Sequence, residues 1–184
     1  MNNFKNQIRE FLRGDRRVLT IKYNGEKLNV AQEGRLFWTK NPLITRFNIL
    51  ICNLASKLPA CEFKNNLYRL VGVKIGRGVA VAQGVYFDPL YPELVTIGDG
   101  AVLGLECVVL THETTVGTFR LGRVVIGKQV MVGVRSVIRS GVKIGEGSQV
   151  GACSFVNKDV SDFELVGGVP VSYTHLTLPT ILRV

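Results

Sequence analysis

The chain has 184 residues, of which 46% are hydrophobic and 20% charged, a composition that supports one domain with a substantial core and excludes disorder over most of the length. Its formal net charge is +9, but no RNA- or DNA-binding motif accompanies the basic residues, so no nucleic-acid partner is expected. Many of the cations lie near the start, at Lys5, Arg9, Arg13, Arg16, Arg17 and Lys22. We interpret them as a solvated basic arm, with binding to an anionic surface or a phosphorylated substrate as the alternative.

Cysteine spacing and hydropathy predict a cytoplasmic protein without disulfides. The four cysteines have no CxxC or metal-ligand spacing, so free thiols in a reducing compartment are expected at Cys52, Cys61, Cys107 and Cys153. The opening residues, MNNFKNQIREFLRGDRR, lack the apolar region of a signal peptide. The most apolar run, PLITRFNILICNLASKLP, is too short and too polar to cross a bilayer.

The first predicted element is a β-hairpin within RVLTIKYNGEKLNV. Two β-prone runs flank Asn24-Gly25, a pair that favours the type I′ turn of a tight hairpin. This hairpin begins an N-terminal extension that we assign to residues 1–70.

Two helices are predicted to complete the extension. Apolar residues recur at helical spacing from Pro42 to Leu70, and Pro59 divides the pattern so that the second helix begins at about Glu62. We expect these helices to cap the open end of the repeat region that follows, whose backbone edge would otherwise be unpaired. Attachment of the extension to a membrane surface is the less favoured alternative.

From Ile75 onward the sequence repeats every six residues. Glycine usually follows the anchor residue of each repeat, and a small or β-branched residue stands four places after it. The anchors are Ile75, Val81 and Phe87, then Ile97, Leu103 and Val109, then Ile126, Val132, Ile138, Ile144, Val150 and Val156. This is the hexapeptide pattern of a parallel β-helix, in which three hexapeptides form one triangular coil.

The pattern also predicts where the side chains of each repeat point. We expect the anchor and the residue four places later to face the core, and the glycine to sit at a corner that needs its wider dihedral range. The alternative, a sandwich rich in valine and glycine, is disfavoured by the unbroken period from Ile126 to Val156.

The stretch from about Leu67 to Pro170 resembles the left-handed β-helix acyltransferases of the hexapeptide-repeat family. The motif IGKQVMVGVRSVIRSGVKIGEGSQVGACSFVNKDV, followed by VGGVP, is similar to the C-terminal half of the maltose, galactoside and serine acetyltransferases. The resemblance implies an all-β fold, with a left-handed parallel β-helix over residues 71–170. It also implies a homotrimer with active sites between neighbouring prisms, and acetyl-CoA as the acyl donor.

The repeat is interrupted twice, and the longer interruption contains a histidine. The anchor step from Phe87 to Ile97 holds the turn-forming residues DPLYPE, and the step from Val109 to Ile126 is long enough that it must leave the coil as a loop. His112 stands at the root of that loop. A neutral imidazole is suited to accept a proton from a hydroxyl or an amine, and the resemblance implies that His112 is the general base.

The resemblance also implies the binding residues. By motif, CoA contacts fall on Val134 in VGV, Ala152 in VGA, and Asn157-Lys158 in VNKD, and Asp88 matches a position that contacts the acceptor. Related enzymes often have serine or threonine where this chain has Val134 and Asn157, so backbone contacts to CoA are expected there. Lys158 could meet a CoA phosphate, or stand as an exposed coil lysine.

The sequence therefore predicts an acetyl-CoA-dependent transferase that acetylates a hydroxyl or amine of a small, sugar-like acceptor. Cys107 is an alternative acyl-carrying nucleophile, but its inward position in the repeat predicts a buried structural thiol. A zinc site with three histidines is excluded because one usable histidine cannot supply three ligands. A non-catalytic trimeric scaffold, and a peripheral membrane enzyme that acts on a surface polysaccharide precursor, are the alternative functions.

The final residues do not continue the family pattern. The string VSYTHLTLPT resembles a translated adapter of transposase-based sequencing libraries. We therefore interpret residues 171–184 as a non-native, adapter-derived tail and set His175 aside with it. A natural strand-like tail is the alternative.

Overall fold

A computed structural model describes residues 2–22, 40–115 and 117–169. Its helices are α1 (Asn2–Arg13), α2 (Pro42–Lys57) and α3 (Glu62–Leu70). The helices predicted on either side of Pro59 are thus confirmed as α2 and α3. The predicted turn at Asn24-Gly25 and the tail at residues 171–184 lie outside the described residues.

The strands of the described residues are short. In chain order they are β1 (Val18–Lys22), β2 (Lys74–Ile75), β3 (Ala80–Val81), β4 (Tyr86–Phe87), β5 (Val95–Ile97), β6 (Val102–Leu103), β7 (Val108–Val109), β8 (His112–Thr114), β9 (Thr118–Gly122), β10 (Val124–Ile126), β11 (Met131–Val132), β12 (Val137–Ile138), β13 (Lys143–Ile144), β14 (Gln149–Val150), β15 (Phe155–Val156) and β16 (Leu165–Val166). Most of them have two or three residues because a corner follows each one.

Most of the strands form three parallel sheets that the chain visits in turn. The first sheet has the order β13-β10-β5-β2, the second β16-β14-β11-β6-β3, and the third β15-β12-β7-β4. Consecutive strands belong to consecutive sheets, so three hexapeptides make one turn of a three-sided coil. The anchors Ile75, Ile97, Ile126 and Ile144 are paired in register from coil to coil.

The interior of the coil is built as the repeat predicts. Each anchor from Val81 to Val156 is buried, and Ile75 of the first coil is partly exposed. The small residues four places after the anchors are buried as well, among them Ala101 and Ser148. Each buried aliphatic side chain contributes roughly 1.5–3 kcal/mol of transfer free energy, so the stacked anchors form the core of the fold.

The glycines that follow the anchors have a different role from the one predicted. Positive φ occurs two positions later, at Gly100 (φ 70°) and even at Arg135 (φ 56°), and not at the glycine after the anchor. A Cβ added to Gly98 would lie 2.6 Å from the backbone nitrogen of Lys128 in the next coil. The glycine is needed there because the neighbouring backbone occupies the space of a side chain, so the predicted reason was wrong.

Both interruptions of the repeat leave the coil, which was predicted for the longer one. The shorter one, between β4 and β5, contains a short 3-10 helix, Pro92–Leu94. The longer one, between β7 and β10, forms an antiparallel pair of strands, β8 and β9. Strand β1 pairs with β9 and completes a three-stranded sheet, which we call the outer sheet.

The basic start of the chain is folded against the outer sheet. Ile8 and Phe11 of α1 are buried together with Leu19 of β1 and Phe119 of β9, whereas Arg9 remains exposed. The prediction of a solvated arm was therefore wrong for the backbone, which forms α1. Its one-sided apolar face explains the helix, because that face finds a buried surface on the outer sheet.

Helix α3 caps the open end of the first coil. Backbone N–H groups of the first coil donate to the second coil, and several of its carbonyl groups are left for the open end. Side chains of α3 donate to these carbonyls: Asn65 to Val79 (2.9 Å), Lys64 to Ala82 (2.7 Å) and Tyr68 to Val85 (2.9 Å). The predicted cap is confirmed, and it consists of hydrogen bonds as well as apolar contacts. Within the described ranges, no helix is both long and apolar enough to span a membrane.

Candidate active site

The coil brings His112 and Asp88 together at one edge. Phe87 at the end of β4 pairs in register with Val109 at the end of β7, so the two interruptions of the repeat leave the coil side by side. Asp88 is the first residue of the shorter interruption, and His112 begins β8 in the longer one. Two residues that are 24 positions apart in sequence therefore meet directly.

The carboxylate of Asp88 is a buried acceptor for the whole segment around the histidine. Its Oδ2 accepts from the Thr111 hydroxyl (2.7 Å), the Thr111 amide (3.2 Å) and the His112 amide (3.0 Å), and it contacts His112 Nδ1. Its Oδ1 accepts from the Leu90 amide (3.0 Å). The side chain of Asp88 is 2% exposed and that of His112 is 23% exposed. The imidazole is thus held by Asp88 at Nδ1 and remains partly exposed to solvent.

Asp88 is charged in this arrangement. Burial raises the pKa of Asp88, but the hydrogen bond and charge of His112, with the bonds from Thr111 and Leu90, outweigh burial and leave the pKa below its ordinary value. In the neutral imidazole, a charged carboxylate at Nδ1 favours the tautomer with the proton on that nitrogen and leaves Nε2 unprotonated. No described residue forms a hydrogen bond with Nε2, so this atom is available to accept a proton from a bound substrate.

Two aromatic rings surround the imidazole. The ring centroid of Tyr91 lies 6.4 Å from that of His112, and the ring of Phe119 lies at 6.3 Å. Both aromatic side chains are buried. Lys40 stands over the outer side of Tyr91, with its Nζ 4.8 Å from the ring centroid, and it pairs with Glu93 (2.6 Å). The histidine ring therefore has a packed wall that limits its rotation.

Sequence reasoning did not find the network that anchors the histidine strand to the coil. Glu113, the neighbour of His112 in β8, accepts from Arg139 Nε (2.9 and 3.1 Å) and from the Ser140 hydroxyl (2.5 Å). Arg120 of β9 donates to the same Ser140 hydroxyl (3.2 Å). We call these four residues the clamp. No sequence motif indicated the clamp, because its four residues come from three separate segments of the chain.

The predicted CoA residues lie at two different edges of the coil. Val132 pairs with Val150, so Val134 and Ala152 occupy equivalent corners of neighbouring coils, and both are exposed. Asn157 and Lys158 follow β15 on the edge that carries His112, but two coils later. They line a cavity of about 350 Å³ at the last coil. In the described part of the chain, no hydrogen bond or ring contact joins any of the four to His112.

Asp88 is placed differently from an acceptor-binding residue. Its burial and its five polar contacts, which come from Leu90, Thr111 and His112, favour a role in orienting His112. They leave almost no exposed surface for the contact with an acceptor that was predicted for Asp88. The signal that could have indicated this role is that both interruptions of the repeat begin at the same edge.

Cys107 is a buried thiol, as its place in the repeat predicts. Its Sγ lies 3.0 Å from the carbonyl oxygen of Gly133, and burial raises the pKa of the thiol above its ordinary value. A raised pKa disfavours the thiolate that a nucleophile requires. All four cysteines are free, and the described residues contain no group of three or more metal-binding side chains.

A three-sided parallel coil whose longer excursion holds an oriented imidazole defines a hexapeptide-repeat transferase. The family model described as bacterial transferase hexapeptide (six repeats) matches residues 123–158. The presumptive acetyltransferase YvoF of Bacillus subtilis (strain 168) is 37% identical over 125 residues, which are 67% of this chain and 73% of that protein. A presumptive acetyltransferase of Staphylococcus aureus (strain MSSA476) is 35% identical over 125 residues, 67% of this chain and 78% of its own. The chain belongs to the hexapeptide-repeat acetyltransferase family.

Solved structures share the fold. A hexapeptide-repeat acetyltransferase of Vibrio cholerae superimposes with a TM-score of 0.58 at 21% identity, over 70% of this chain and 88% of that one. A galactoside acetyltransferase in complex with coenzyme A gives a TM-score of 0.54 at 20% identity, over 69% and 77% of the two chains.

Proposed function

We propose that this protein transfers an acetyl group from acetyl-CoA to a hydroxyl or amine of a small, sugar-like acceptor, with His112 as the general base. The observation that carries the proposal is the bond between His112 Nδ1 and the buried carboxylate of Asp88. The donor is proposed from the relatives: structural neighbours include one bound to acetyl-CoA and one bound to coenzyme A.

The chemistry needs one proton acceptor and one oxyanion stabiliser. Nε2 of His112 accepts the proton of the acceptor hydroxyl or amine while its oxygen or nitrogen attacks the thioester carbonyl carbon. A backbone N–H group stabilises the negative charge on the carbonyl oxygen. Collapse breaks the carbon–sulfur bond, and the imidazolium returns its proton to the CoA thiolate. The transfer is direct, which agrees with a buried Cys107 of raised pKa.

The alternative function, a non-catalytic scaffold, does not account for the site. Burial of a carboxylate is costly unless it is paired and hydrogen-bonded, and at Asp88 the compensating contacts orient an imidazole that a scaffold does not require. The Asp88–His112 pair lies at an excursion from the coil and not in its core, so it is not required for packing the repeats.

We further propose a homotrimer of left-handed coils in which neighbouring chains share each active site. The separation of the Val134–Ala152 corner from the edge that carries His112 supports this arrangement, because a second chain could then bring the two together. The exposed Val134 and Ala152 would contribute backbone contacts to CoA, and Asn157 and Lys158 would lie near its phosphates. Free cysteines agree with the predicted cytoplasmic location.

An acceptor screen tests the proposal. The full chain is incubated with labelled acetyl-CoA and a panel of sugars, amino sugars and aminoglycoside antibiotics, and acetylated products are separated and counted. We expect at least one acceptor to be acetylated by the wild type and not by His112→Ala. Product formation that is equal in both proteins would contradict the role of His112.

A further inference from the structure

Helix α2 presents an apolar surface to solvent although the fully buried residues of its inner face are polar or small. These are Thr45, Asn48, Cys52 and Ala55, and the partly buried Ile51 packs beside them on the coil. The opposite face holds five apolar side chains that are 46–70% exposed, and we call it the outer stripe: Leu43, Ile44, Phe47, Leu50 and Leu54. A surface helix ordinarily turns its apolar stripe to the core and its polar face to solvent. This helix is inverted, so packing within the described chain does not explain the outer stripe.

The outer stripe faces away from the coil. The inner side of α2 lies on the first coil, where the Gly84 amide donates to the Ser56 carbonyl (2.7 Å) and Asn48 donates to the Pro89 carbonyl (3.3 Å). From Leu43 to Leu54 the stripe extends about 16 Å along the helix axis, at about 1.5 Å per residue. It therefore forms a continuous apolar ridge at the capped end of the molecule.

The charged residues of helix α2 itself are all positive. Helix α2 contains no aspartate or glutamate, and its two cations, Arg46 and Lys57, are both exposed. Neither of them forms an ion pair with a described residue. The net charge of the whole chain is +9. An apolar ridge on a helix that has cations and no acidic residue of its own matches the interface of a bilayer that contains acidic lipids.

A bilayer fits the ridge better than a protein partner does. A stable protein interface takes about 20–30 residues on each side, with shapes that match. The outer stripe offers five apolar side chains on a single convex helix, which a fluid lipid surface accepts without a complementary groove. We propose that the outer stripe of α2 docks the protein on an anionic membrane surface, with the helix lying in the plane of the interface. The coil then stands with its first turn towards the lipid.

Vesicle co-sedimentation of the full chain tests the docking. The probes are vesicles of phosphatidylglycerol with phosphatidylcholine, and vesicles of phosphatidylcholine alone. We expect the wild type to sediment with the anionic vesicles, and the double variant Leu50→Gln, Leu54→Gln to lose about 10-fold or more in partition coefficient per leucine. Arg46→Ser and Lys57→Ser should each weaken binding about 5-fold, and salt should weaken it further.

The matched control removes two exposed apolar side chains from the wall of the coil. Val102→Gln with Met131→Gln loses a similar apolar area, and these residues lie side by side in β6 and β11. This variant should sediment like the wild type. A wild type that stays in the supernatant overturns the proposal. An equal loss of vesicle binding in both double variants also overturns the proposal. A molecular mass that is lower for the α2 double variant than for the wild type, both without lipid, overturns it as well, because a second copy of the chain would then cover the ridge.

Discussion

A histidine acts as a general base through the ring nitrogen that has no proton, and in neutral His112 the carboxylate of Asp88 determines that this nitrogen is Nε2. The carboxylate lies at Nδ1, and its pKa is held below the ordinary value. As a charged group it accepts a hydrogen bond from the Nδ1–H group. The rings of Tyr91 and Phe119 limit the rotation of the imidazole. Orientation and tautomer are therefore both determined before an acceptor arrives.

Removal of the imidazole tests the role of the base. His112→Ala should lower kcat by roughly 10²–10⁴-fold, the usual contribution of positioned acid–base catalysis, while the affinity for acetyl-CoA changes little. Steady-state kinetics with both substrates varied measure this. Cys107→Ala is the control, and it should keep its turnover even if the small cavity costs stability. An active histidine variant with an inactive cysteine variant would point to a covalent mechanism instead.

Asp88→Asn should separate the role of Asp88 in orienting His112 from the effect of its side-chain size. An asparagine of the same size can donate to Nδ1, which moves the ring proton to Nε2 and blocks the base. We expect kcat to fall by roughly 10²-fold or more. Nitrogen-15 chemical shifts of the His112 ring should report the exchange of tautomers, which a purely structural role of Asp88 would not produce.

The same variant should change how stability depends on pH. The folded-state pKa of Asp88 lies below the unfolded value near ~3.9, so the unfolded chain binds more protons between the two values. The stabilisation is complete above the unfolded pKa and is lost as the pH falls through the folded one. Denaturant unfolding should show a stability gap between wild type and Asp88→Asn of about 1–3 kcal/mol at pH ~7, narrowing below pH ~4. A gap that is independent of pH would mean that Asp88 is not charged in the fold.

Among the secondary elements, the outer sheet depends on the clamp for its position. Glu113 joins β8 to Arg139 and Ser140, so it links the strand that carries His112 to the third coil. Glu113→Gln should keep the fold but loosen this link. We expect faster amide hydrogen exchange in β8 and β9, and a kcat lower by roughly 10-fold, because a small displacement of the base is costly.

Asp99→Asn is the matched control for the clamp. Asp99 also pairs with an arginine, Arg77 at 3.1 Å, but that pair is exposed and lies on an edge of the coil that carries neither His112 nor the proposed CoA corner. An exposed ion pair contributes little, so neither exchange nor kcat should change. Equal effects in the two variants would contradict a specific role of Glu113.

The cap helix makes a second prediction at this scale. Tyr68 of α3 is buried and donates to the Val85 carbonyl at 2.9 Å. Tyr68→Phe leaves that carbonyl without its partner and should lower the free energy of unfolding by about 1–3 kcal/mol. Tyr86→Phe is the control, since Tyr86 is exposed at the surface of β4. Thermal melting of both variants measures the loss of stability. A stable Tyr68→Phe protein would mean that the cap acts through apolar packing alone.

At the scale of the whole molecule, the proposed trimer can be tested by mixing two inactive proteins. His112→Ala lacks the base, and Ala152→Trp blocks the predicted CoA corner, yet a mixed trimer has sites in which both parts are intact. Activity should return after mixing and refolding, and sedimentation equilibrium should give about three times the 20.3 kDa of one chain. A monomer with full turnover would contradict shared sites, as would mixtures that stay inactive.

The division of the chain into residues 1–70 and 71–170 stays a prediction, and the contacts bear on it. Helix α1 and strand β1 pack on the outer sheet, whose other strands come from within the repeat region. Helix α3 supplies hydrogen bonds to the first coil. The described N-terminal segments thus complete surfaces of the coil, and the buried residues of α1 and β1 share one cluster with Tyr91, Leu94, Phe119 and Leu121.

The sequence by itself determined the coil and the location of the histidine. A period of six is local, because each strand and corner is formed by neighbouring residues, so the inward anchors from Val81 to Val156 could be predicted individually. The breaks in that period likewise showed where the chain must leave the coil, and hence where His112 stands. The role of the glycines was misread, since the close approach of Gly98 to Lys128 depends on the next coil.

Tertiary structure alone decided how the site is assembled. Asp88 meets His112, and Glu113 meets Arg139, because strands of successive coils stack in register, which places residues 24 and 26 positions apart at one edge. The fold of α1 against Phe119 and the outward ridge of α2 were equally hidden. A helical period shows that a helix has an apolar face, but the direction of that face depends on which surface the rest of the chain offers it.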